Sequence, residues 1–107
     1  MIVVTTLEIS GREITETLGI VQGNSVRARG IGRDFMAGLR SIKGGEVREY
    51  AELLAQARHE AVERMVAHAE SLGADAVVGT RYNAADVMQG VAELLAYGTA
   101  VRTAAKD

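Results

Sequence analysis

From Glu46 to Leu72 the chain carries neither glycine nor proline, and its apolar residues recur every three to four positions. That spacing predicts one long helix, and few folds of this size can be built around such an element. Glu46 and Glu49 fall in its first turn, where the helix dipole favours negative charge. Gly73 follows the last leucine, as a helix-ending glycine does. At about 100° per residue, Val47, Ala51, Leu54, Ala61, Met65, Ala69 and Leu72 form one apolar stripe, and Arg58 falls in its middle.

The flanking segments read as strands. Ile2 to Thr6 is a β-branched run, and Ile14, Leu18 and Ile20 alternate with polar residues after the turn signal Ser10-Gly11-Arg12. Gly23-Asn24-Ser25 offers a turn or bulge before the alternating Val26–Arg29, and strands so close in sequence most simply pair antiparallel. Phe35, Met36, Leu39 and Ile42 are spaced for a short helix over 33–42, with Gly44-Gly45 as its stop. Ala74 to Tyr82 reads as a strand, residues 83–90 as a loop, and Val91 to Thr103 as the last strand. In that strand Ala96, Gly98 and Ala100 share a face poor in side chains, which invites a helix or another subunit to approach. The order is β-β-α-α-β-β. It predicts an α+β fold with an antiparallel sheet, hairpins at both ends and helices on one face.

The chain has 107 residues, which suggests a single domain spanning 1–107. Only Phe35, Tyr50, Tyr82 and Tyr97 are aromatic, so the core must rest on aliphatic and small side chains. A domain of this size folds alone without much to spare, and association with copies of itself would help. The net charge of −2 lacks the basic excess of a sequence-independent nucleic-acid binder. No apolar run approaches the roughly 18 residues of a membrane span, and the N-terminus lacks the marks of a signal peptide. The expectation is a soluble cytoplasmic protein without nucleic-acid or membrane partners. With no cysteine, disulfides and thiolate metal sites are excluded.

Arg58 on an apolar face must be paired or reach water, because burying it bare is costly. It would pair with an acid or cap carbonyls in the core, join an ion pair between subunits, or hold an anionic ligand. His59 and His68 are nine residues apart and face opposite ways on one helix. His59 and Glu63 stand at i, i+4 and can reach one ion, but two ligands in one helix do not make a metal site. The zinc-protease pattern would need a histidine where Glu63 stands. A ring of subunits could supply the missing donors, so a metal ion held by His59, Glu63 or His68 stays open; no cofactor is called for.

The stretch "RDFMAGLRSIKGGEVREY", residues 33–50, sets glycines among basic residues ahead of a helix. It fails the nucleotide P-loop, because five residues separate Gly38 from Gly44 and Lys43 precedes the second glycine. It fails the dinucleotide fingerprint at Phe35, where the third glycine would stand. What remains is a helix N-terminus at Gly45 able to hold an anion with Arg40 or Lys43, or plain helix-turn-helix punctuation. No cysteine nucleophile or serine elbow is present.

"GIVQG" at 19–23, the 33–50 stretch, "AR" at 57–58, "LGADAVVGTRY" at 72–82 and "YGTAV" at 97–101 together resemble the YbjQ family. Its members are small bacterial and archaeal proteins labelled as heavy-metal-binding. The resemblance implies a dodecin-like α+β subunit and a ring-shaped homopentamer, without an established reaction. Arg33, Asp34, Arg40, Gly44, Gly45, Glu46, Tyr50, Arg58, Gly73, Ala74, Gly98 and Thr99 fall at the family's signature positions.

Three functional readings follow. The first is a non-enzymatic homo-oligomer that binds a ligand, ion or partner at its subunit boundaries, with Arg33, Arg40, Gly45 and Arg58 as ligand, anion or interface candidates. The second is a metal binder using His59, Glu63 or His68. The third is an enzyme anchoring a small anion through Arg40 and Arg58.

Overall fold

The computed structural model describes residues 1–28, 44–88 and 91–107. They form five elements: β1 (Ile2–Val3), β2 (Arg12–Ala28), α1 (Gly44–Ser71), β3 (Ala76–Met88) and β4 (Val91–Ala105). The fold is α+β, with one helix among the described residues and a four-stranded sheet in the order β1-β3-β4-β2. The short helix expected over 33–42 lies outside the described residues, as do Arg33 and Arg40.

The sheet is mixed, which corrects the antiparallel expectation. β4 is its antiparallel spine, with β2 on one side and β3 on the other, and β1 adds in parallel to β3. There is no N-terminal hairpin between β1 and β2. Residues 12–28 form one uninterrupted strand, so Gly23-Asn24-Ser25 is strand interior rather than a turn. β1 crosses the sheet and pairs Ile2 with Ala76 and Val3 with Val77. The C-terminal hairpin is present but longer than expected. β3 continues to Met88 through residues that lack strand patterning, because β4 offers them backbone partners as far as Val91, with one register shift between Asp86 and Met88.

α1 starts at Gly44, so Gly44-Gly45 open the long helix. It ends in a Schellman motif. Ala74 N–H donates to the Ala69 carbonyl at 3.1 Å and Gly73 N–H to that of Glu70 at 3.0 Å. Gly73 takes the left-handed conformation that this motif requires, with φ 83 degrees. The helix lies on β2 and β4. Ala61, Met65 and Ala69 pack with Val21, Ala96, Ala100 and Val77. On the other face, Ala76, Val78 and Val101 are covered by Ile2, Val4 and Ile9. Met65 and Val21 are both fully buried. Burying a side chain of that size contributes about 2 kcal/mol. Much of the remaining core is alanine, which offers little area.

The close approach is made at Gly23. A Cβ there would overlap backbone atoms of Met65 and Ala61 and stand 2.7 Å from the Arg64 carbonyl carbon. Gly98 serves β3 instead: its Cβ would meet Val77 Cγ1 at 2.7 Å and the Val78 carbonyl oxygen at 3.0 Å. Ala96 and Ala100 do lie under the helix, as their shared face predicts.

Candidate functional site

The helix presents a different face to the sheet from the one its averaged periodicity indicates. The buried row is Ala57, Ala61, Met65 and Ala69, while Leu54 and Leu72 are each 39% exposed. Arg58 is exposed, so the core-arginine reading does not hold. The reason is geometric. The contact follows an i, i+4 ridge, which runs obliquely to the helix axis. A wheel that superimposes every turn averages this drift away and sets Arg58 in the middle of the stripe.

The two histidines do face opposite ways. His59 points to solvent, and its Nε2 lies 2.6 Å from Glu63 Oε1, with both side chains more than half exposed. Ala55, Gln56 and Glu60 complete an open groove around this pair. The pair offers one nitrogen and one carboxylate to an ion. Among the described residues no three His, Cys, Asp or Glu side chains gather into a metal-binding group.

His68 is committed elsewhere. Its Nδ1 accepts the backbone N–H of Gln22 at 3.3 Å. One turn earlier, Arg64 Nη1 donates to the Asn24 carbonyl at 2.6 Å and Nη2 meets Glu60 Oε1 at 2.6 Å. Residues i and i+4 stand one above the other on a helix, and alternate strand residues direct their backbone groups to the same side. Arg64 and His68 thus clamp the outer edge of β2, which β4 leaves unpaired. Sequence reasoning missed Arg64, Asn24 and Gly23. The available signal was a cation and an imidazole at i, i+4 flanking an alanine row.

Two further polar knots fix the ends. Arg102 Nε donates to the Gly73 carbonyl at 3.0 Å and Nη1 meets Glu16 Oε2 at 3.1 Å. A cation thereby stands at the helix C-terminus, where the dipole favours it. Asp75 accepts the N–H of Thr103 at 3.0 Å and its hydroxyl at 3.1 Å, and Arg12 Nε donates to Thr103 Oγ1 at 2.7 Å. Both carboxylates are engaged with donors that tie strand to strand and strand to helix end. Gly45 sits in the first turn of α1. No described helix is long and apolar enough to cross a membrane.

One described helix on a mixed sheet, polar groups spent on holding that helix to a strand, and an open histidine–carboxylate pair define a small α+β protein whose described residues carry no catalytic constellation. The chain belongs to the YbjQ family: the model of that family, described as "Putative heavy-metal-binding", matches residues 1–104. A UPF0145 protein of Photobacterium profundum is 56% identical over 95% of this chain and 99% of its own. A UPF0145 protein of the archaeon Methanosarcina acetivorans is 53% identical over 95% of this chain and 96% of its own. A crystal structure of a DUF74-family protein of unknown function from Pediococcus pentosaceus aligns over 97% of this chain and 98% of its own, with a TM-score of 0.65 at 18% identity, and shares the fold.

Proposed function

We propose that this protein is a homo-oligomeric binding or structural protein, a dodecin-like subunit of a pentameric ring, whose function resides where copies meet. The observation that carries this reading is its surface. The chain exposes 7076 Å². A compact monomer of its mass exposes about 5800 Å². Its radius of gyration is 17.1 Å and its extents are 57 × 26 × 16 Å. A compact domain of this length has a radius of about 13 Å. The excess surface, roughly 1300 Å², is of the size that a standard interface removes. Ile20 at 78% exposure and Val26 at 51% lie in the strand that carries the helix. Arg33, Arg40 and Arg58 are then candidates for contacts across a subunit boundary. Sedimentation velocity tests the reading: the expected particle is five copies of an 11.4 kDa chain, and a stable monomer would sink it.

A second reading is favoured by the His59–Glu63 pair and by the family's description: heavy-metal binding, with the remaining donors from neighbouring copies. Calorimetric titration with zinc, copper and nickel tests it. Affinity unchanged in a His59→Ala, His68→Ala double variant would remove these ligands.

A further inference from the structure

A heavy-metal ion asks for nitrogen or sulfur lone pairs. The chain has no cysteine and two histidines, so imidazole is the donor it offers to zinc, copper or nickel. A neutral imidazole holds one lone pair and one N–H, and the hydrogen bond at one nitrogen decides what the other keeps. Both histidines of α1 are held as the same tautomer, with opposite consequences for an ion.

At His68 the partner is a backbone amide, which can only donate. Gln22 N–H reaches Nδ1 at 3.3 Å, so Nδ1 holds the lone pair and Nε2 the proton. That lone pair is engaged by the strand, and an ion at Nδ1 would displace Gln22. For Nε2 to take the ion its proton would have to leave, and a proton moved to Nδ1 would set two N–H groups face to face. Ligating histidines are arranged the other way round: the nitrogen away from the metal donates its proton to a carboxylate or a carbonyl.

At His59 the partner is a carboxylate, which when ionised can only accept. Glu63 Oε1 lies 2.6 Å from Nε2, so Nε2 holds the proton and Nδ1 keeps its lone pair. Both side chains are more than half exposed. This is the carboxylate-backed arrangement of a ligating histidine.

We propose that His68 is a structural acceptor closed to metal ions, and that an ion bound by this helix meets Nδ1 of His59, with Glu63 holding the ring from behind. The His59 half rests on the metal-binding reading, which left His59, Glu63 and His68 open alike. The His68 half stands independently of it. One nitrogen does not make a site, and no cluster of three donors exists among the described residues, so the other ligands come from beyond them.

His68→Asn separates the two roles of that residue. Asparagine Oδ1 stands as many bonds from Cα as Nδ1 does and can accept the Gln22 N–H, while an amide oxygen is a poor ligand for zinc. His68→Phe removes the acceptor, and all three residues have similar helix propensity. In urea, His68→Asn is expected to unfold near the wild-type midpoint and His68→Phe below it. At about pH 8, where free imidazole is neutral, the long-range proton–nitrogen NMR spectrum of the wild type is expected to show Nδ1 of His68 bare and Nε2 protonated. Zinc affinity by calorimetry is expected to be unchanged in His68→Asn and at least about tenfold weaker in His59→Ala. Equal midpoints for His68→Phe and wild type, a proton on Nδ1 of His68, or zinc affinity lost in folded His68→Asn overturns the structural acceptor. Zinc affinity untouched by His59→Ala overturns the His59 assignment alone. A wild type that binds no zinc overturns the metal-binding reading together with the His59 assignment, and the midpoints and the spectrum then decide His68.

Discussion

Arg64 Nη1 sits 2.6 Å from the Asn24 carbonyl oxygen, so a helix side chain satisfies a backbone acceptor on the open edge of β2. With His68 on Gln22 it sets the helix along the strand rather than merely above it. Apolar packing has no direction, and an alanine-rich row could slide along a strand at small cost. Two hydrogen bonds at matching spacing remove that freedom.

Arg64→Met keeps most of the aliphatic stem and removes the donor. The expected loss is about 1 kcal/mol, because a hydrogen bond from a charged donor is worth somewhat more than this when buried and less when water competes. Urea denaturation at fixed protein concentration measures it. The loss in a double variant with His68→Leu should depart from the sum of the two single losses, since both act on the same edge. Strict additivity would show that the clamp does not act as a unit.

Gly23→Ala is expected to cost about 3 kcal/mol or more, at the severe end for a single methyl. The added carbon meets helix backbone at Ala61 and Met65, which cannot rotate aside as a side chain could. Lifting the helix would open the contacts of Met65 and Val21 together. A variant with wild-type stability in a urea titration would mean that the helix does not pack this closely.

This glycine shows where sequence legibility ended. The long helix, its glycine stop at Gly73 and the strand character of residues 13–22, 76–82 and 91–103 follow from local periodicity and end signals, and the structure has them. Gly23 carries the same letter as a turn glycine, and its role depends on what packs above it. The pairing of β1 with β3 is a contact between residues more than seventy positions apart in the chain, and no local pattern marks it. The continuation of β3 through residues 83–88 is imposed by β4. Of the site candidates, the opposed faces of His59 and His68 were readable from their spacing. The exposure of Arg58 was not, because it depends on how obliquely the contact crosses the helix.

Ser25 is fully buried beneath the helix, and its Oγ has no hydrogen-bond partner among the described residues. An unsatisfied buried hydroxyl costs about 1–3 kcal/mol, and alanine leaves only a small void in its place. Ser25→Ala is therefore expected to raise stability by about 1 kcal/mol, seen as a higher urea midpoint with an unchanged slope. A loss of stability would reveal a partner for the hydroxyl outside the described residues. Thr80 carries the same kind of orphan at 4% exposure, so Thr80→Val is the parallel test at the other end of the sheet.

Gly73 closes the helix with a positive φ. Side chains with a Cβ enter that region at a cost of about 1 kcal/mol. A Cβ there would also stand 2.6 Å from Arg102 Nη2, the far end of a flexible side chain that can move away. That movement would weaken the hydrogen bond from Arg102 to the Gly73 carbonyl and the ion pair with Glu16. Two effects are thus superposed in Gly73→Ala, and the expected loss is about 1–2 kcal/mol. They can be separated with Arg102→Leu, which removes the crowding together with the hydrogen bond. In that background Gly73→Ala should cost only the backbone share, and Gly73→Asn less still, because asparagine tolerates the left-handed conformation. Thermal unfolding of these variants at one protein concentration gives the comparison. Equal costs of Gly73→Ala with and without Arg102 would show that the arginine already yields freely, leaving the helix stop to the backbone alone.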